Sequence, residues 1–240
     1  MTTAPRILPA GDQALTVEFA DRIDDAINQR VIALADSLEQ SPIPGLLECV
    51  PTYRSLLVLY DPEVTRGRDL SAALLERARA QTRATTIHRL WRVPMVFGGA
   101  AGLDLETLAA DKGLSVANLI AAFTAPEYRV HMIGFAPGFA YLGGLPEALH
   151  TPRLPKPRQR VEAGAIGIGG QQANINSVPG PSGWRFLGRT PLRLFDPERA
   201  EPFLMRAGDR VRFEPIDIAT AERLDAAVAA GTTIVEPDIR

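Results

Sequence analysis

Tyr128-Arg129-Val130-His131-Met132-Ile133-Gly134-Phe135-Ala136-Pro137-Gly138-Phe139-Ala140-Tyr141-Leu142-Gly143-Gly144-Leu145 begins a glycine-dense region that continues to Arg189. Residues 128–189 hold 11 of the chain's 20 glycines, where an even spread would place roughly five, so this backbone is built for tight turns and close approaches. Short runs of strand formers, separated by Pro and Gly, follow one another from here: Val130–Phe135, Ala165–Gly169, Gln172–Ile175, Trp184–Gly188, Leu192–Phe195 and Arg210–Glu214. Many short strands with frequent turn signals predict a sandwich or closed barrel. The region is also basic. Arg129, Arg153, Lys156, Arg158, Arg160, Arg185 and Arg189 face only Glu147 and Glu162, in a chain of net charge −2. Cations beside glycine turns and aromatics suit an anionic ligand such as a carboxylate or phosphate; the same residues also suit the solvated loops of a β-rich domain.

Upstream, the period changes. Ile23, Ile27, Val31, Leu34 and Leu38 recur at helical spacing as far as Ser41-Pro42, and Leu70, Leu74 and Ala78 mark a second helix from Asp69 to Arg83. Around them lie an extended pair across the Gly11-Asp12 turn, the strands Leu46–Val50 and Ser55–Tyr60, and a last strand Ile87–Val96. This β-α-β-β-α-β order predicts a ferredoxin-like α+β domain over 1–97, then a mainly-β domain over 98–240 beyond the Gly98-Gly99-Ala100-Ala101-Gly102 break. Glu48, Tyr53 and Arg54 sit between the middle strands, facing water or a neighbour. Asp104 is placed to N-cap one short helix, Ser115 caps a second carrying Leu119, Ile120 and Phe123, and Thr220 caps an alanine-rich tail helix stopped by Gly231.

Composition excludes several function classes. A 240-residue chain that is 46% hydrophobic and 22% charged is ordinary globular material, without the dense basic run and interleaved aromatics of a nucleic-acid binder. Neither an apolar leader segment at Met1–Arg6 nor a run long enough to span a membrane is present, so no membrane partner is expected and the cytoplasm is the expected location. Cys49 is the only cysteine and lies among strand formers, where it reads as a small hydrophobe more readily than as a catalytic thiol. His88, His131 and His150 are far apart in sequence, and no metal site is expected. Gly-x-Ser-x-Gly and Walker-type signatures are both absent.

The candidate residues come from the basic, glycine-dense region. Arg129, His131 and Ile133 alternate and are expected to share one strand face, where Arg and His together suit a carboxylate and the His equally suits a barrel-rim carbonyl. Three prolines hold Arg153, Lys156 and Arg158 near one another, as a site or as a charged loop. Gln171 and Gln172, after Gly170, offer amides to a carbonyl ligand, and Trp184 walls a pocket or joins the core. Arg129, Arg153, Arg158 and Arg189 are the candidates for anion contacts, and His131 is the candidate for general acid–base work. Gly134, Phe135, Pro137, Gly138 and Gly170 are the candidate pocket backbone.

The run 134–145, with Thr151-Pro152-Arg153, Pro157-Arg158, Ala163 to Gln172 and Gly183-Trp184-Arg185-Phe186-Leu187-Gly188-Arg189-Thr190-Pro191, resembles the family that unites the B subunits of 5-oxoprolinase, the kinase inhibitor KipI and allophanate hydrolase subunit 1, the carboxyltransferase-type domains. The resemblance continues through Gly11-Asp12-Gln13-Ala14-Leu15, Val50 to Leu56, Val93-Pro94 and Pro126-Glu127-Tyr128. It implies an α+β N-terminal domain followed by a cyclophilin-like β-barrel. It also implies ATP-dependent opening of the lactam 5-oxoproline to glutamate, carried out with a sister barrel chain (the enzyme's C subunit, similar to allophanate hydrolase subunit 2) and a chain like its A subunit. ATP with Mg2+ is then expected as cofactor, at this chain or a partner, and biotin only on a partner. The alternatives implied are a KipI-like inhibitor of a histidine kinase and a carboxyltransferase component of urea or allophanate metabolism. The chain departs from the family pattern at Phe123, where a His is expected, and at Asn176-Ser177, where Tyr-Pro is expected. It departs again at Ser182, in place of Gly, and at Glu162, in place of Pro. A changed substrate or a lost activity follows if the replaced His or Tyr contacts substrate.

Overall fold

The computed structural model describes residues 4–80 and 89–239. His88, the expected end of the second helix at Arg83 and the first residues of the strand expected at Ile87–Val96 lie outside the described residues. The chain divides into two compact units, 1–86 and 87–240.

In the first unit, strands β1 (Arg6–Pro9), β2 (Ala14–Glu18), β3 (Leu46–Pro51) and β4 (Ser55–Tyr60) form a four-stranded antiparallel sheet in the order β1-β2-β4-β3. Helix α1 (Asp25–Gln40) starts where the Asp24 carboxylate accepts from the Ala26 and Ile27 amides; this occupies donors that the first turn leaves unpaired. Its Ile27, Val31, Leu34 and Leu38 join Leu70, Leu74 and Ala78 of α2 (Gly67–Ala80) and the inward face of the sheet in one core. The predicted helical spacing is therefore buried from Ile27 onward, whereas Ile23, expected to open it, precedes the Asp24 cap and is exposed. Arg54, partly open to water, is also held within the chain: it donates to Glu18 at 2.8 Å and to the Ala20 carbonyl at 2.6 Å.

The strand expected to complete this sheet does not belong to it. Strand β5 (Arg89–Phe97) pairs in parallel with β13 (Arg210–Pro215) in the second unit, so the first unit runs β-β-α-β-β-α and the β-α-β-β-α-β expectation is corrected. The edge beside β2 is already occupied by β1, which leaves no place there for another strand. The boundary thus falls ahead of β5 and not at residue 97.

The second unit is mainly β. Strands β6 (Tyr128–Ile133), β7 (Ala140–Gly143), β9 (Ala165–Gly169), β10 (Gln172–Ile175) and β12 (Arg185–Arg189) combine with β13 and β5 in the order β12-β9-β10-β7-β6-β13-β5, and β12 also pairs with β5, closing a seven-stranded barrel. Closure removes the exposed edges that an open sheet would present. Strands β8 (Arg158–Val161) and β11 (Gly180–Ser182) form a separate two-stranded ribbon. The barrel is filled by alternate residues of its strands, among them Val93, Val130, Leu142, Ile166, Ala173 and Val211, joined by Leu108 of α3 (Leu105–Asp111) and Leu119 and Phe123 of α4 (Val116–Thr124). Leu192–Phe195 is not a strand and contributes one isolated bridge, Phe195 to Phe203. Helix α5 (Ile218–Ala229) is capped by Asp217, whose carboxylate accepts from the Thr220 amide, so Thr220 is the recipient of the cap and not its source. The terminal β14 (Asp238–Ile239) pairs with β5. Among the described residues no helix is long and apolar enough to cross a membrane.

Cys49, on β3, is partly buried. Burial, assisted by the negative charges of Glu48 and Glu39, pushes its thiol up to about 11, because each disfavours a thiolate. Iodoacetamide at pH 8 is therefore expected to label Cys49 more slowly than cysteine in solution, with the rate climbing only as the pH approaches 11. Rapid labelling at pH 8 would contradict the burial argument.

Candidate functional site

The site begins with a break in alternation on β6. Pairing with β7 runs Arg129 to Gly143 and Val130 to Leu142, then shifts, so that Met132 meets Tyr141 and Ile133 meets Ala140. His131 is the extra residue of this bulge, a device that re-aims a side chain. Tyr128, Val130 and Ile133 consequently turn to the barrel core, while Arg129 and His131 share the outer face. The expectation that Ile133 stands with them is corrected. The imidazole lies directly over Gly143: a Cβ added there would sit 2.1 Å from His131 Cε1 and 2.2 Å from Nε2. Arg129 and His131 are 1% and 2% exposed.

The same outer face continues across β7, β10 and β9. Asn174 pairs with Tyr141 on one side and Gly167 on the other, and its Nδ2 donates to Asn176 Oδ1 at 2.8 Å. Over these strands stands an aromatic wall. The Phe139 ring lies 4.6 Å from Tyr141 and 6.3 Å from Trp184, and Tyr141 lies 6.0 Å from Trp184. Gly169 admits the indole, since a Cβ there would stand 2.9 Å from Trp184 Cε3. The Arg153 guanidinium covers the outer side of the same indole at 4.8 Å, a cation–π contact. Burial raises the Tyr141 phenol pKa, and the Arg153 charge opposes that shift.

One residue at the rim is strained. Phe135 has φ 68° and is the only non-glycine residue with positive φ among the described residues; for a bulky side chain that conformation is an outlier, which concentrates at functional sites. It is 74% exposed and meets Phe139 edge-on at 5.6 Å. Gly138 (φ 75°) lets this loop pass close to Phe195, 2.9 Å from where a Cβ would be. Between the loop and the 178–181 segment lies a groove of about 160 Å³, lined by Phe135, Phe139, Asn176, Val178, Pro179 and Pro181 among others. A larger hollow of about 480 Å³ opens elsewhere on the unit, beside Phe97, Leu103, Val161 and Ile218. It is apolar, and its rim arginines are already paired, Arg160 with Glu162 and Arg189 with Asp225. The smaller groove adjoins the buried polar face and is the better candidate.

The sequence-derived candidates divide accordingly. His131, Arg129, Gln172 (buried), Trp184 and Arg153 fall on or over one barrel face, with Gly134, Phe135, Pro137 and Gly138 forming its rim loop. Gln171 is exposed at the β9-β10 turn, where Gly170 takes φ 64° and bridges to Thr151. Arg158 and Arg189 are committed within the chain: Arg158 Nη2 donates to Asp104 at 2.7 Å and Arg189 binds the Asp225 carboxylate through both terminal nitrogens. Asp104 is therefore an ion-pair partner that also accepts from the Phe186 amide; it makes no cap bond to α3. Phe123 is 0% exposed and stacks on Phe213 at 5.1 Å, so that departure from the family pattern is a packing position. Tyr141, Asn174 and the groove-facing role of Asn176 were missed. The available signal was the polar alternation Gln172-x-Asn174-x-Asn176 on a strand otherwise made of barrel residues. Among the described residues no three metal-ligating side chains gather.

Comparison with known proteins shows the family of the chain. The model of the carboxyltransferase domain, subdomains C and D, matches residues 5–205. The B subunit of 5-oxoprolinase from Bacillus subtilis (strain 168) is 37% identical over 227 residues, 89% of this chain and 93% of that protein. The corresponding B subunit from Escherichia coli O157:H7 is 39% identical over 205 residues, 85% of this chain and 93% of its own length. Among solved structures, TTHA0988 aligns at TM-score 0.76 and 38% identity over 85% of this chain, which spans only 40% of TTHA0988. The Kluyveromyces lactis urea carboxylase, 19% identical, shares the fold at TM-score 0.80 across 98% of this chain, which spans 24% of it. With the family match crossing both units and two named B subunits alike over nearly their whole length, the chain belongs to the carboxyltransferase-domain family, subdomains C and D, together with the 5-oxoprolinase B subunits.

Proposed function

We propose that this chain is one subunit of an ATP-dependent lactam hydrolase that opens 5-oxoproline to glutamate and works with a sister barrel chain. The observation that carries the reading is the likeness to two proteins named as B subunits of 5-oxoprolinase over 93% of each; a name of that kind also supports further chains in the complex. The outer barrel face suits the chemistry. A small ring with an amide edge and a carboxylate needs flat apolar walls, amide partners and a cation; Phe139 and Trp184 offer the first, Asn176 and Gln172 the second, and Arg153 the third. His131, held against Gly143 beside Arg129, is the group proposed to move a proton to or from the opening amide.

The triphosphate fits this chain less well. Four of the seven cations in 128–189 are held by carboxylates, Arg158 by Asp104, Arg160 by Glu162, Arg185 by Asp111 and Arg189 by Asp225, leaving few to meet developing phosphoryl charge. We therefore assign ATP and its Mg2+ to a partner chain and route no step of this site through them. Biotin has no role in the reading, and the cytoplasm is its expected setting.

Co-expression of the chain with its sister subunits tests the proposal directly. Loss of 5-oxoproline and gain of glutamate should require ATP and this chain together, and Arg153→Ala should reduce kcat/KM by about tenfold, the scale of one charge-assisted contact. A stable complex with no turnover overturns the substrate assignment. Absence of any complex, combined with inhibition of a histidine kinase, would replace it with the regulatory reading.

A further inference from the structure

Three buried polar residues end the outer barrel wall. Asn174, Asn176 and Ser177 are 0%, 4% and 7% exposed, and neither Asn174 Oδ1 nor Ser177 Oγ has a hydrogen-bond partner among the described residues. Buried acceptors without donors are rare in folded proteins, because nothing replaces their lost hydration. These two stand at the end of β10 next to the 160 Å³ groove, whose other walls are largely apolar and whose polar member is Asn176. The single bond inside the group, from Asn174 Nδ2 to Asn176 Oδ1, fixes which way the Asn176 carboxamide faces. It leaves Asn176 Nδ2 as a donor and a second lone pair of Oδ1 as an acceptor.

We infer that Asn176, oriented by Asn174, is the specificity-determining residue of the groove and reads the N–H and C=O edge of a small cyclic amide. A ring of five or six atoms locks its amide cis, so the N–H and C=O point the same way. A carboxamide side chain carries the complementary acceptor and donor, and closes a two-bond ring with that edge. An open-chain secondary amide is trans; its N–H and C=O point in opposite directions and only one can reach Asn176. The flat walls of Phe139, Pro179 and Pro181 suit the faces of one small ring, in a space well below the ~300–1,000 Å³ of sites for drug-sized ligands. Assigning that ring to 5-oxoproline rests on the hydrolase reading; reading of the amide edge does not.

The test uses the full chain, alone and in complex with its sister subunits, titrated calorimetrically with 5-oxoproline, N-methyl-5-oxoproline and dihydrouracil. The wild-type chain should prefer 5-oxoproline over its N-methyl form by about tenfold or more, the scale of one or two hydrogen bonds, and should bind dihydrouracil. Asn176→Ala should erase the preference while circular dichroism shows an unchanged fold. Asn174→Ala, which removes the orienting bond without touching the groove's own lining, should lower the preference in part and raise KM with kcat unchanged; Asn176→Gln should restore some of what Asn176→Ala loses. Equal binding of the two lactams by the wild type, binding of none of the probes, or a preference that survives Asn176→Ala overturns the inference. Selective binding of N–H lactams by a complex that does not hydrolyse 5-oxoproline overturns the hydrolase reading and leaves the inference standing. Turnover with kcat/KM unchanged in Asn176→Ala does the reverse.

Discussion

Gly143→Ala is expected to cut turnover of the assembled enzyme by about a hundredfold or more while leaving the barrel folded. Gly143 does not have positive φ, so alanine meets no backbone penalty, and the whole effect lies in what the new methyl touches. It would fall 2.1 Å from His131 Cε1, 2.2 Å from Nε2 and 2.9 Å from Nδ1, where real contacts begin beyond 3.0 Å. The imidazole must move by about an ångström or leave its rotamer, and misplacement on that scale costs about 10²-fold in catalysis. Overpacking of this kind destabilises by about 1–3 kcal/mol, a loss visible as a lower melting temperature and not as unfolding. The double variant His131→Ala, Gly143→Ala separates the two effects. Removal of the ring should recover most of the stability lost in Gly143→Ala, because the clash is gone, yet turnover should remain low. Normal turnover in the Gly143→Ala complex would remove His131 from the mechanism.

The same bulge shows what a sequence pattern does and does not reveal. Period-two alternation is a sound guide along an unbroken strand, and it placed Arg129 and His131 together; it could not place Ile133, because one inserted residue reverses every side chain after it. Helical spacing was read more securely: Ile27, Val31, Leu34 and Leu38 are the buried stripe of α1, since a helix carries its face in its own local geometry. Membership of a sheet is decided elsewhere. Strand β5 looked like the last strand of the first unit, but its partners β12, β13 and β14 are more than 80 residues downstream, and no local signal reports who occupies a sheet edge. The cations were misleading for a related reason. The positive balance of 128–189 was visible, but the acids that neutralise Arg158 and Arg189, Asp104 and Asp225, lie outside that segment. The aromatic wall, by contrast, was half legible: the Gly134 to Gly138 loop and Trp184 were identified, whereas the role of Tyr141 depended on register with Asn174.

Asp209→Ala should be the most destabilising single change on the barrel's outside rim, by about 3–5 kcal/mol, the cost of stripping one partner from a buried ion pair. Asp209 is 3% exposed and precedes β13. Its carboxylate accepts from Arg89 Nε at 2.9 Å and Nη2 at 2.6 Å, from Trp91 Nε1 at 2.8 Å and from the Arg206 amide at 3.0 Å, while its carbonyl accepts from the Val130 amide. One residue thus ties the starts of β5, β6 and β13 together, joining β5, which local sequence assigned to the first unit, to two strands it had read as barrel strands. Alanine leaves the buried Trp91 N–H without an acceptor and frees a guanidinium that now stacks on the indole at 5.3 Å. Natural domains are stable by only about 5–15 kcal/mol, so the loss is a large share of the total. Asp209→Asn, which keeps one acceptor oxygen, should fall between alanine and wild type. Both tryptophans, Trp91 and Trp184, belong to the second unit, so urea unfolding followed by indole fluorescence reports the barrel without the first unit. A midpoint for Asp209→Ala within error of the wild type would mean that closure of the barrel is carried by strand pairing alone, and that the carboxylate only decorates it.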